Sequence, residues 1–383
     1  MPKSKKVAYY ATLYHHLAAF DLPFMKILQS QGYEIHAYGK PDRGREVLLQ
    51  NNIVCYDINT SRSPVDFWSN IIALYNLVIA FKTQGYYMLH VDTPVASIIG
   101  RIAAKIAKIP VVIYTAHGFH FYKGASKERW LFYYSAEWLM AYWTDYLITI
   151  NKEDYELAKK KFHVRKKILF IDGVGVNLSP FIEVRNSPQI RQNIRNSLGL
   201  KDCDFVVVCI AEMIQRKNQI QLIKAAAILK DSVKPVKCLM VGEGEELENY
   251  KLLSQQLGLE SEILFLGYRR DIPDLLCASD ISILLSKHEG LPKGLMESMA
   301  AGKPVVATNV RGNRDIVKNE ISGLLVPYDN VLATVSAIEK IYSNKNIQIE
   351  MSHAALKLSL NYDIEQITKQ VTILYSQALE ATI

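Results

Sequence analysis

The sequence predicts two α/β domains, each a doubly wound parallel sheet with helices on both faces. Short runs of β-branched residues alternate with helical patterns along most of the chain, which is typical of βαβ units. The 383 residues suffice for two hydrophobic cores. The alternation is interrupted over residues 173–196, where prolines, glycines and polar residues cluster. We therefore expect an N-terminal domain over 1–180 and a second domain over 181–361.

Seven strands are predicted in the first half of the chain and six in the second half. The strands are expected at 7–13, 34–39, 53–58, 87–91, 111–116, 146–150 and 168–171, then at 205–211, 237–241, 263–266, 281–285, 305–308 and 323–326. The clearest helical patterns cover 23–31, 67–82, 95–107, 152–161, 218–230, 245–257, 271–278, 291–301 and 331–343. No strand is predicted after 344, and we expect the C-terminal helix, 362–383, to pack on the N-terminal domain. Two such sheets predict a ligand-binding cleft at the carboxyl ends of their strands.

Composition and charge exclude several classes of protein. A hydrophobic content of 49% with 22% charged residues is typical of a globular protein, and no apolar run is long and uncharged enough to predict a membrane span. The five cysteines are scattered, which favours buried thiols in a reducing compartment over disulfides or a metal site. No signal peptide is predicted, so we expect a cytoplasmic protein.

The net charge of +7 is concentrated in the first half of the chain. Residues 1–180 contain 22 Lys and Arg against 14 Asp and Glu. Such an excess suits an acidic partner or an anionic membrane surface, or it is an ordinary basic surface. No recognition motif for nucleic acid accompanies it, so we expect no nucleic-acid partner.

The segment 287–308, KHEGLPKGLMESMAAGKPVVAT, combines a glycine-containing loop, a helix start and a strand. Glu289 falls before the predicted helix, and Glu297 lies inside it with seven residues between them. Carboxylates accept two hydrogen bonds at once and therefore hold sugar and ribose hydroxyls well. The alternative is an amphipathic helix whose glutamates only face solvent.

Three other loops follow predicted strands in the second half. Arg216 and Lys217 lie between a strand and a helix, where two cations suit a diphosphate, or they are an exposed pair. Arg269, in GYRRD, suits base or ribose contacts, or lies in a surface loop. The sequence VGEGEE, 241–246, lacks the third glycine of a dinucleotide fingerprint, and its three glutamates disfavour a pyrophosphate.

Two blocks of sequence carry a family resemblance. Residues 266–317, from LGYRRD to RGNRDIV, and the stretch TAHGFHFY at 115–122 closely resemble retaining glycosyltransferases of family 4, especially bacterial capsular and exopolysaccharide members. The resemblance implies a GT-B fold, α/β with two Rossmann-like doubly wound parallel-sheet domains facing a central cleft. It also implies transfer from a nucleotide sugar, with retention at the anomeric carbon and without a metal or other cofactor.

The resemblance also assigns roles to residues. Glu289 matches the family glutamate that holds the donor sugar, and Glu297 matches the family glutamate that holds the ribose. Lys217 matches the lysine that neutralises the diphosphate. The family has an arginine five residues before that lysine, whereas Glu212 occupies this position here, and Arg216 is our candidate for the missing charge. The backbone expected to approach the diphosphate or the sugar is that of Leu291, Pro292, Lys293, Gly294 and Leu295.

Histidines in the first half are further candidates. His117 matches the family histidine that faces the donor sugar, and we expect it to orient a hydroxyl group. His120 is a second candidate. His15, His16 and Phe20 follow the first strand, where they either contact a substrate or only cap and pack the first helix.

The segment 130–143, WLFYYSAEWLMAYW, is apolar nearly all round. Such a helix is either a core helix or an interfacial helix. Lys123, Lys127 and Arg129 precede it and would suit anionic lipid. If it is interfacial, the enzyme is peripheral on the inner face of the cell membrane, and the acceptor is a polyprenyl-diphosphate-linked saccharide.

The sequence therefore predicts a glycosyltransferase that moves a sugar, from a UDP sugar, to a lipid-linked saccharide in capsular or exopolysaccharide assembly. The alternatives are a catalytically silent GT-B subunit that supports a partner enzyme and a GT-B sugar-nucleotide epimerase. A nicotinamide oxidoreductase is a more distant alternative.

Overall fold

The computed structural model describes residues 5–122, 124–230 and 236–380, and it divides the chain into two compact units. The first unit comprises 1–175 and 365–383, and the second comprises 176–364. The first unit ends before residue 180 because Leu178 and Phe181 are already part of the hydrophobic core of the second.

The sheet of the first unit has seven parallel strands in the order β3-β2-β1-β4-β5-β6-β7. Its strands are β1 (Lys6–Leu13), β2 (Glu34–Lys40), β3 (Val54–Asp57), β4 (Met88–Val91), β5 (Val111–Ala116), β6 (Tyr146–Thr149) and β7 (Lys167–Phe170). The central strands β1, β4, β5 and β6 are buried on both faces, as expected where helices cover a parallel sheet on each side. All seven lie where the sequence predicts strands.

Helices cover both faces of this sheet. They are α1 (Tyr14–His16), α2 (Leu22–Ser30), α3 (Arg43–Gln50), α4 (Phe67–Gln84), α5 (Pro94–Ala107), α6 (Lys127–Arg129), α7 (Ser135–Ala141) and α8 (Lys152–Lys161), with π-helical turns at Leu17–Asp21 and Trp130–Tyr134. The helix α3 was not predicted because it is short and polar, and it depends on Asp42, whose carboxylate caps it by accepting from the Gly44 N–H. The C-terminal helix Ile364–Glu380 also belongs here, since Ile367, Val371 and Tyr375 lie in the core of the first unit.

The second unit contains a six-stranded parallel sheet in the order β10-β9-β8-β11-β12-β13. Its strands are β8 (Phe205–Ile210), β9 (Val236–Val241), β10 (Ile263–Gly267), β11 (Ile281–Leu284), β12 (Val305–Thr308) and β13 (Gly323–Val326). Its helices are α9 (Ser179–Val184), α10 (Pro188–Ser197), α11 (Gln219–Leu229), α12 (Leu247–Gln256), α13 (Ile272–Ala278), α14 (Lys293–Ala300), α15 (Asn313–Ile316), α16 (Val331–Ser343) and α17 (Lys345–Ser359), and the C-terminal helix is therefore α18. These six strands also lie where the sequence predicts them.

The interrupted segment 173–196 contains the boundary between the two units, at 175/176, but most of the segment is helical, because α9 and α10 lie there. Pro180 and Pro188 occupy the first turns of these two helices. Proline is tolerated in a first turn, where its missing N–H would have no helical partner. The prolines therefore mark helix starts, although the sequence pattern was interpreted as a break.

Strand order reverses once in each sheet, between β1 and β4 in the first unit and between β8 and β11 in the second. In doubly wound sheets such a reversal leaves a crevice at the carboxyl ends of the two strands, where ligands bind. No described helix is both long enough and apolar enough to cross a bilayer.

Candidate active site

The loops that follow β8 and β11 meet at the strand-order reversal of the second unit. There the buried carboxylate of Glu289 contacts two cations: Lys217 Nζ lies 2.5 Å from its Oε1, and Arg216 Nη1 lies 3.4 Å from its Oε2. The two loops are also joined through Lys287 N–H, which donates to the Arg216 carbonyl at 2.9 Å. Arg216 Nη1 in turn donates to the His288 carbonyl at 3.1 Å. The structure thus brings together three residues that the sequence singled out.

Local backbone geometry holds this cluster in place. Lys217 ends a short 3-10 turn, and Asn218 follows in the left-handed region with a φ of 54°. In the loop after β12, Gly312 has a φ of 79°, and a Cβ there would approach the carbonyl oxygen of Gly290, in the loop after β11, to 2.4 Å. Glycine at 312 therefore permits the close backbone contact that fixes the position of Glu289.

The charges in the cluster keep Glu289 ionised. Burial alone would raise the pKa of this carboxyl, but the attraction of Lys217 and Arg216 and the hydrogen bond from Lys217 outweigh burial, and the pKa lies below its usual range. Two cations surround one carboxylate, so one positive charge remains uncompensated within the cluster. Such an arrangement can stabilise an anionic group that binds beside it.

Glu297 lies on α14, whose first turn contains three of the five predicted backbone-contact residues, Lys293, Gly294 and Leu295. Its Oε1 is 3.7 Å from Lys293 Nζ, and burial raises the pKa of its carboxyl, an effect that Lys293 partly offsets. Gly294 packs closely under the end of β8, because a Cβ there would lie 3.3 Å from the Ile210 carbonyl oxygen. The start of the helix, with Leu291 and Pro292 just before it and Leu295 in its first turn, therefore lies next to the strand-order reversal.

Arg269 and the glycines of 241–246 lie on neighbouring loops. Arg269 forms a fork-like pair with Asp271 two residues later, at 2.8 Å and 2.5 Å, so part of its guanidinium is already engaged. A Cβ at Gly242 would lie 2.0 Å from the Ala211 carbonyl oxygen, and one at Gly244 would lie 2.3 Å from that of Met213. Glycine at these two positions therefore allows two loops to pack closely. This packing accounts for both glycines, and no bound dinucleotide is needed to explain them.

A second polar cluster lies at the strand-order reversal of the first unit. His117 Nε2 is 3.0 Å from Asp92 Oδ1 and 3.2 Å from His16 Nε2, and the ring of Phe20 is 5.5 Å from the His117 ring. Asp92 is fully buried at the end of β4, and the next residue, Thr93, has a φ of 57°. A β-branched residue in this region is uncommon and is found where surrounding contacts enforce it, here hydrogen bonds between Thr12 and Thr93.

The cluster extends inward through groups that the sequence did not reveal as candidates. His90 Nδ1 lies 2.8 Å from the hydroxyl of Tyr375, and Asp21 is buried beside the cluster. Oδ2 of Asp21 and Oδ2 of Asp92 have no hydrogen-bond partner within the described residues. Burial raises the pKa of both carboxyls and lowers the pKa of His117, so neutral forms are favoured. The sequence feature that could have identified Asp92 as a candidate is its position as a charged residue directly after a buried strand, in HVD at 90–92.

Three side chains of this cluster could also hold a metal ion. One ligand atom from each of His16, Asp92 and His117 lies within 4.8 Å of the others. Two imidazoles and one carboxylate are a ligand set that divalent metals accept. The same atoms also form the two hydrogen-bond contacts described above, between His117 and Asp92 and between His117 and His16.

Comparison with known proteins identifies the family. A relative described as a putative glycosyltransferase EpsD from Bacillus subtilis is 34% identical over 380 residues, which are 98% of each chain. This chain belongs to glycosyltransferase family 4. The family models for group 1 glycosyl transferases and for 4-like glycosyl transferases match 190–358 and 6–151, respectively.

Two further comparisons show which other proteins this glycosyltransferase resembles. An Escherichia coli protein named UDP-Gal:alpha-D-GlcNAc-diphosphoundecaprenol alpha-1,3-galactosyltransferase is 28% identical over 358 residues, covering 93% of this chain and 92% of the relative. The crystal structure of HepE from Anabaena in complex with UDP and glucose superposes with a TM-score of 0.81 at 20% identity, covering 97% and 99% of the two chains. The fold is therefore GT-B, as the sequence predicted.

The remaining candidates of the glycosyltransferase differ in what they contact. Glu212, where the family arginine is expected, is exposed, whereas Arg216 lies in the Glu289 cluster. His15 is engaged by Asp42, its Nδ1 lying 2.6 Å from Oδ2, which favours packing over substrate contact. The ring of His120 lies 5.0 Å from that of Tyr133.

Proposed function

We propose that this glycosyltransferase transfers a sugar from a UDP sugar, with retention, to a polyprenyl-diphosphate-linked saccharide in capsular or exopolysaccharide assembly. The observation that carries the proposal is the cluster of Glu289, Lys217 and Arg216 at the strand-order reversal of the second unit. The Escherichia coli relative supports the donor and acceptor classes, because its name specifies a UDP sugar and a diphosphoundecaprenol-linked acceptor.

In this proposal the second unit binds the donor. Lys217 and Arg216 stabilise the diphosphate that leaves, Glu289 accepts hydrogen bonds from hydroxyls of the sugar, and Glu297 accepts them from the ribose. The backbone N–H groups of Leu291, Lys293 and Gly294 and part of the Arg269 guanidinium add donors for the nucleotide. Because fixed cations supply the positive charge, we expect no metal ion to be needed at the diphosphate.

The chemical step breaks the bond between the anomeric carbon and the diphosphate oxygen and forms one to an acceptor oxygen. The acceptor hydroxyl loses its proton, and a diphosphate oxygen takes it up, so that the products are the glycosylated acceptor and UDP. The first unit is assigned to the acceptor side. His117 in that unit orients a sugar hydroxyl through Nδ1, the ring nitrogen that does not face Asp92 or His16.

A transfer assay tests this proposal. The purified chain is screened against UDP sugars by thermal shift, because a bound donor stabilises the folded state, and the stabilising donors are incubated with undecaprenyl-diphosphate-linked saccharides. We expect UDP release and a product of unchanged anomeric configuration, with equal rates in the presence of EDTA. Isomerised nucleotide sugar without acceptor would indicate an epimerase instead, and absence of transfer with every donor would contradict the proposal.

We also propose that the enzyme is peripheral on an anionic membrane. Within the first unit, α5 packs against both α4 and α7, and this face exposes a broad apolar surface. Its exposed members are Phe67, Trp68, Ile72, Tyr75, Ile79, Leu131, Phe132, Trp138, Leu139 and Tyr142. The inner side of α7 is anchored by a buried pair between Glu137 and Arg101, with 2.8 Å between Oε2 and Nη2. The aromatic segment 130–143 therefore has a buried side, which fits a core helix, and an exposed apolar side, which supports the interfacial interpretation proposed here.

Cations accompany this apolar surface. Lys82, Lys105, Lys127 and Arg129 are exposed on α4, α5 and α6. Lys123, the other predicted cation, lies outside the described residues. Aromatic side chains bordered by lysine and arginine are typical of surfaces that lie at an anionic bilayer.

Replacing Trp68 and Leu131 together with alanine is expected to weaken binding to vesicles that contain phosphatidylglycerol at least about tenfold, which equals about 1.4 kcal/mol. These side chains are 74% exposed each, so their removal leaves the fold intact. Vesicle flotation measures the effect. Leu252→Ala is the matched control, since Leu252 is an exposed leucine of the second unit. Equal flotation of the double variant and the control would contradict this surface.

A further inference from the structure

A cavity of about 470 Å³ opens in the second unit at the amino-terminal ends of β11 and β12. Ser279 and Asp280 precede β11, and Lys303 and Pro304 precede β12. The Glu289 cluster follows the carboxyl ends of strands in the same sheet, so the cavity lies at the opposite edge. Its volume is within the range of small-molecule sites.

The charged residues that line this cavity are mostly basic. Four cationic side chains line it (Arg185, Arg191, Lys303 and Lys345), together with His353 and the single carboxylate of Asp280. This carboxylate is already engaged, because Oδ1 lies 2.8 Å from Arg191 Nη2 and Oδ2 lies 2.9 Å from Arg195 Nη2. The Val206 N–H also donates to Oδ2, at 2.8 Å. Asp280 therefore leaves most of the positive charge of the cavity uncompensated.

Lys303 places a buried ammonium group in the cavity wall. The residue is 9% exposed, and its Nζ donates to the Ser279 carbonyl at 2.9 Å and more weakly to the Cys277 carbonyl at 3.4 Å. An ammonium carries three N–H groups, so one remains without an acceptor among these contacts. Burial, followed by the nearby charge of Arg191, lowers the pKa of Lys303 to about 8. A bound anion would offset both effects.

Two helix starts add to the positive potential. The helix α10 begins at Pro188 and α17 begins at Lys345, and both residues line the cavity. The amino-terminal end of a helix carries a partial positive charge that favours anions. At the rim, Arg185 has no hydrogen-bond or ion-pair partner among the described residues and is available to a ligand.

We propose that this cavity binds a phosphate-bearing anion, with Lys303 in its wall and Arg185 and Lys345 at its rim. A phosphate group suits the site because it carries up to two negative charges and several acceptor oxygens, which match a set of convergent cations. The phosphate belongs either to a soluble molecule or to a lipid headgroup. The site is separate from the donor-binding cluster and does not depend on the proposed sugar transfer.

Inorganic pyrophosphate is the first probe, at constant ionic strength set with chloride. Hydrogen exchange is followed in peptides that cover 185–191 and 345–353, since a local measurement separates this cavity from the Lys217 cluster. We expect protection in the wild-type chain. In the double variant Arg185→Gln, Lys345→Gln, the half-saturating concentration should rise about tenfold or more. Lys224→Gln removes an exposed lysine of the same unit outside the cavity and should behave as wild type.

Lys303→Met is the second variant, and its thermal unfolding shows whether the fold survives. Protection that is the same in wild type and in the double variant would overturn the proposal, as would the absence of protection in the wild type. Vesicles with and without phosphatidic acid then distinguish the two sources of phosphate. Loss, in the double variant, of the additional vesicle binding that phosphatidic acid causes indicates a lipid headgroup, whereas an unchanged increment with weakened pyrophosphate binding indicates a soluble molecule.

Discussion

Replacing Lys217 with alanine is expected to lower the rate of sugar transfer about a thousandfold. Among the described residues, the lysine is one of two cations that contact the Glu289 carboxylate, and removing one preorganised charge from a transition state that develops negative charge costs about 10²–10³ in rate. Arg216 is 3.4 Å from Glu289 and remains, so a residual rate is expected. The rate is measured as release of UDP with a lipid-linked acceptor.

The same substitution should also destabilise the fold. It leaves the buried carboxylate of Glu289 with a single, more distant cation, and breaking a buried ion pair costs about 3 to 5 kcal/mol. The pKa of Glu289 is lower in the folded state than in the unfolded state. The carboxylate therefore contributes to stability at a pH above its ordinary, unfolded-state pKa, and this contribution is lost as the pH falls through the lower folded-state pKa. Urea unfolding of the variant should therefore show less dependence on pH in that acidic range.

The control for Lys217 is Lys287→Ala, because Lys287 lies in the same loop as Glu289 but its side chain is exposed. Glu289→Gln should also lower the transfer rate. In the double variant with Lys217→Ala, the increase in activation free energy should be smaller than the sum of the increases in the two single variants, since the residues are in contact. Transfer that proceeds undiminished in Lys217→Ala would show that the chemistry has been assigned to the wrong residues.

The predictable parts of the structure are those encoded by local sequence. Most strands of both sheets are short runs of mainly apolar residues, and such runs indicate strands of a covered parallel sheet. Lys217 and Glu289 could also be found, because each lies in the loop that follows a strand, and the sheet topology brings those two loops together. Their contact with each other was not predicted, since it depends on side-chain directions that spacing does not determine.

The residues that were missed have partners that are distant in sequence. Asp92 is opposite His117 and near His16 only because β4 neighbours both β1 and β5. Tyr375 reaches the same cluster from a helix at the other end of the chain. No pattern within a single segment indicates such contacts. The pairing of Arg269 with Asp271 is local in sequence, but the sequence analysis did not predict it.

Replacing His117 with alanine is expected to lower the transfer rate about a hundredfold, within the range for one positioned polar group. Asp92 acts as a positioning residue for this ring. Burial raises the pKa of Asp92 and lowers that of His117, so we expect Asp92 to be protonated and to donate to Nε2. The remaining proton of the imidazole is then on Nδ1, where it can donate to a sugar hydroxyl.

This protonation state predicts how strongly each substitution at Asp92 lowers the transfer rate. Asparagine offers an amide N–H in place of the carboxyl O–H and keeps the same tautomer of His117, so Asp92→Asn should stay within about tenfold of wild type. Asp92→Ala removes the hydrogen-bond donor to His117. Its transfer rate should therefore fall close to that of His117→Ala, mainly through a lower kcat. Circular dichroism and thermal unfolding of each variant separate these effects from misfolding. If Asp92→Asn were as impaired as Asp92→Ala, the carboxyl would have to be ionised, and the proton would lie on Nε2 instead.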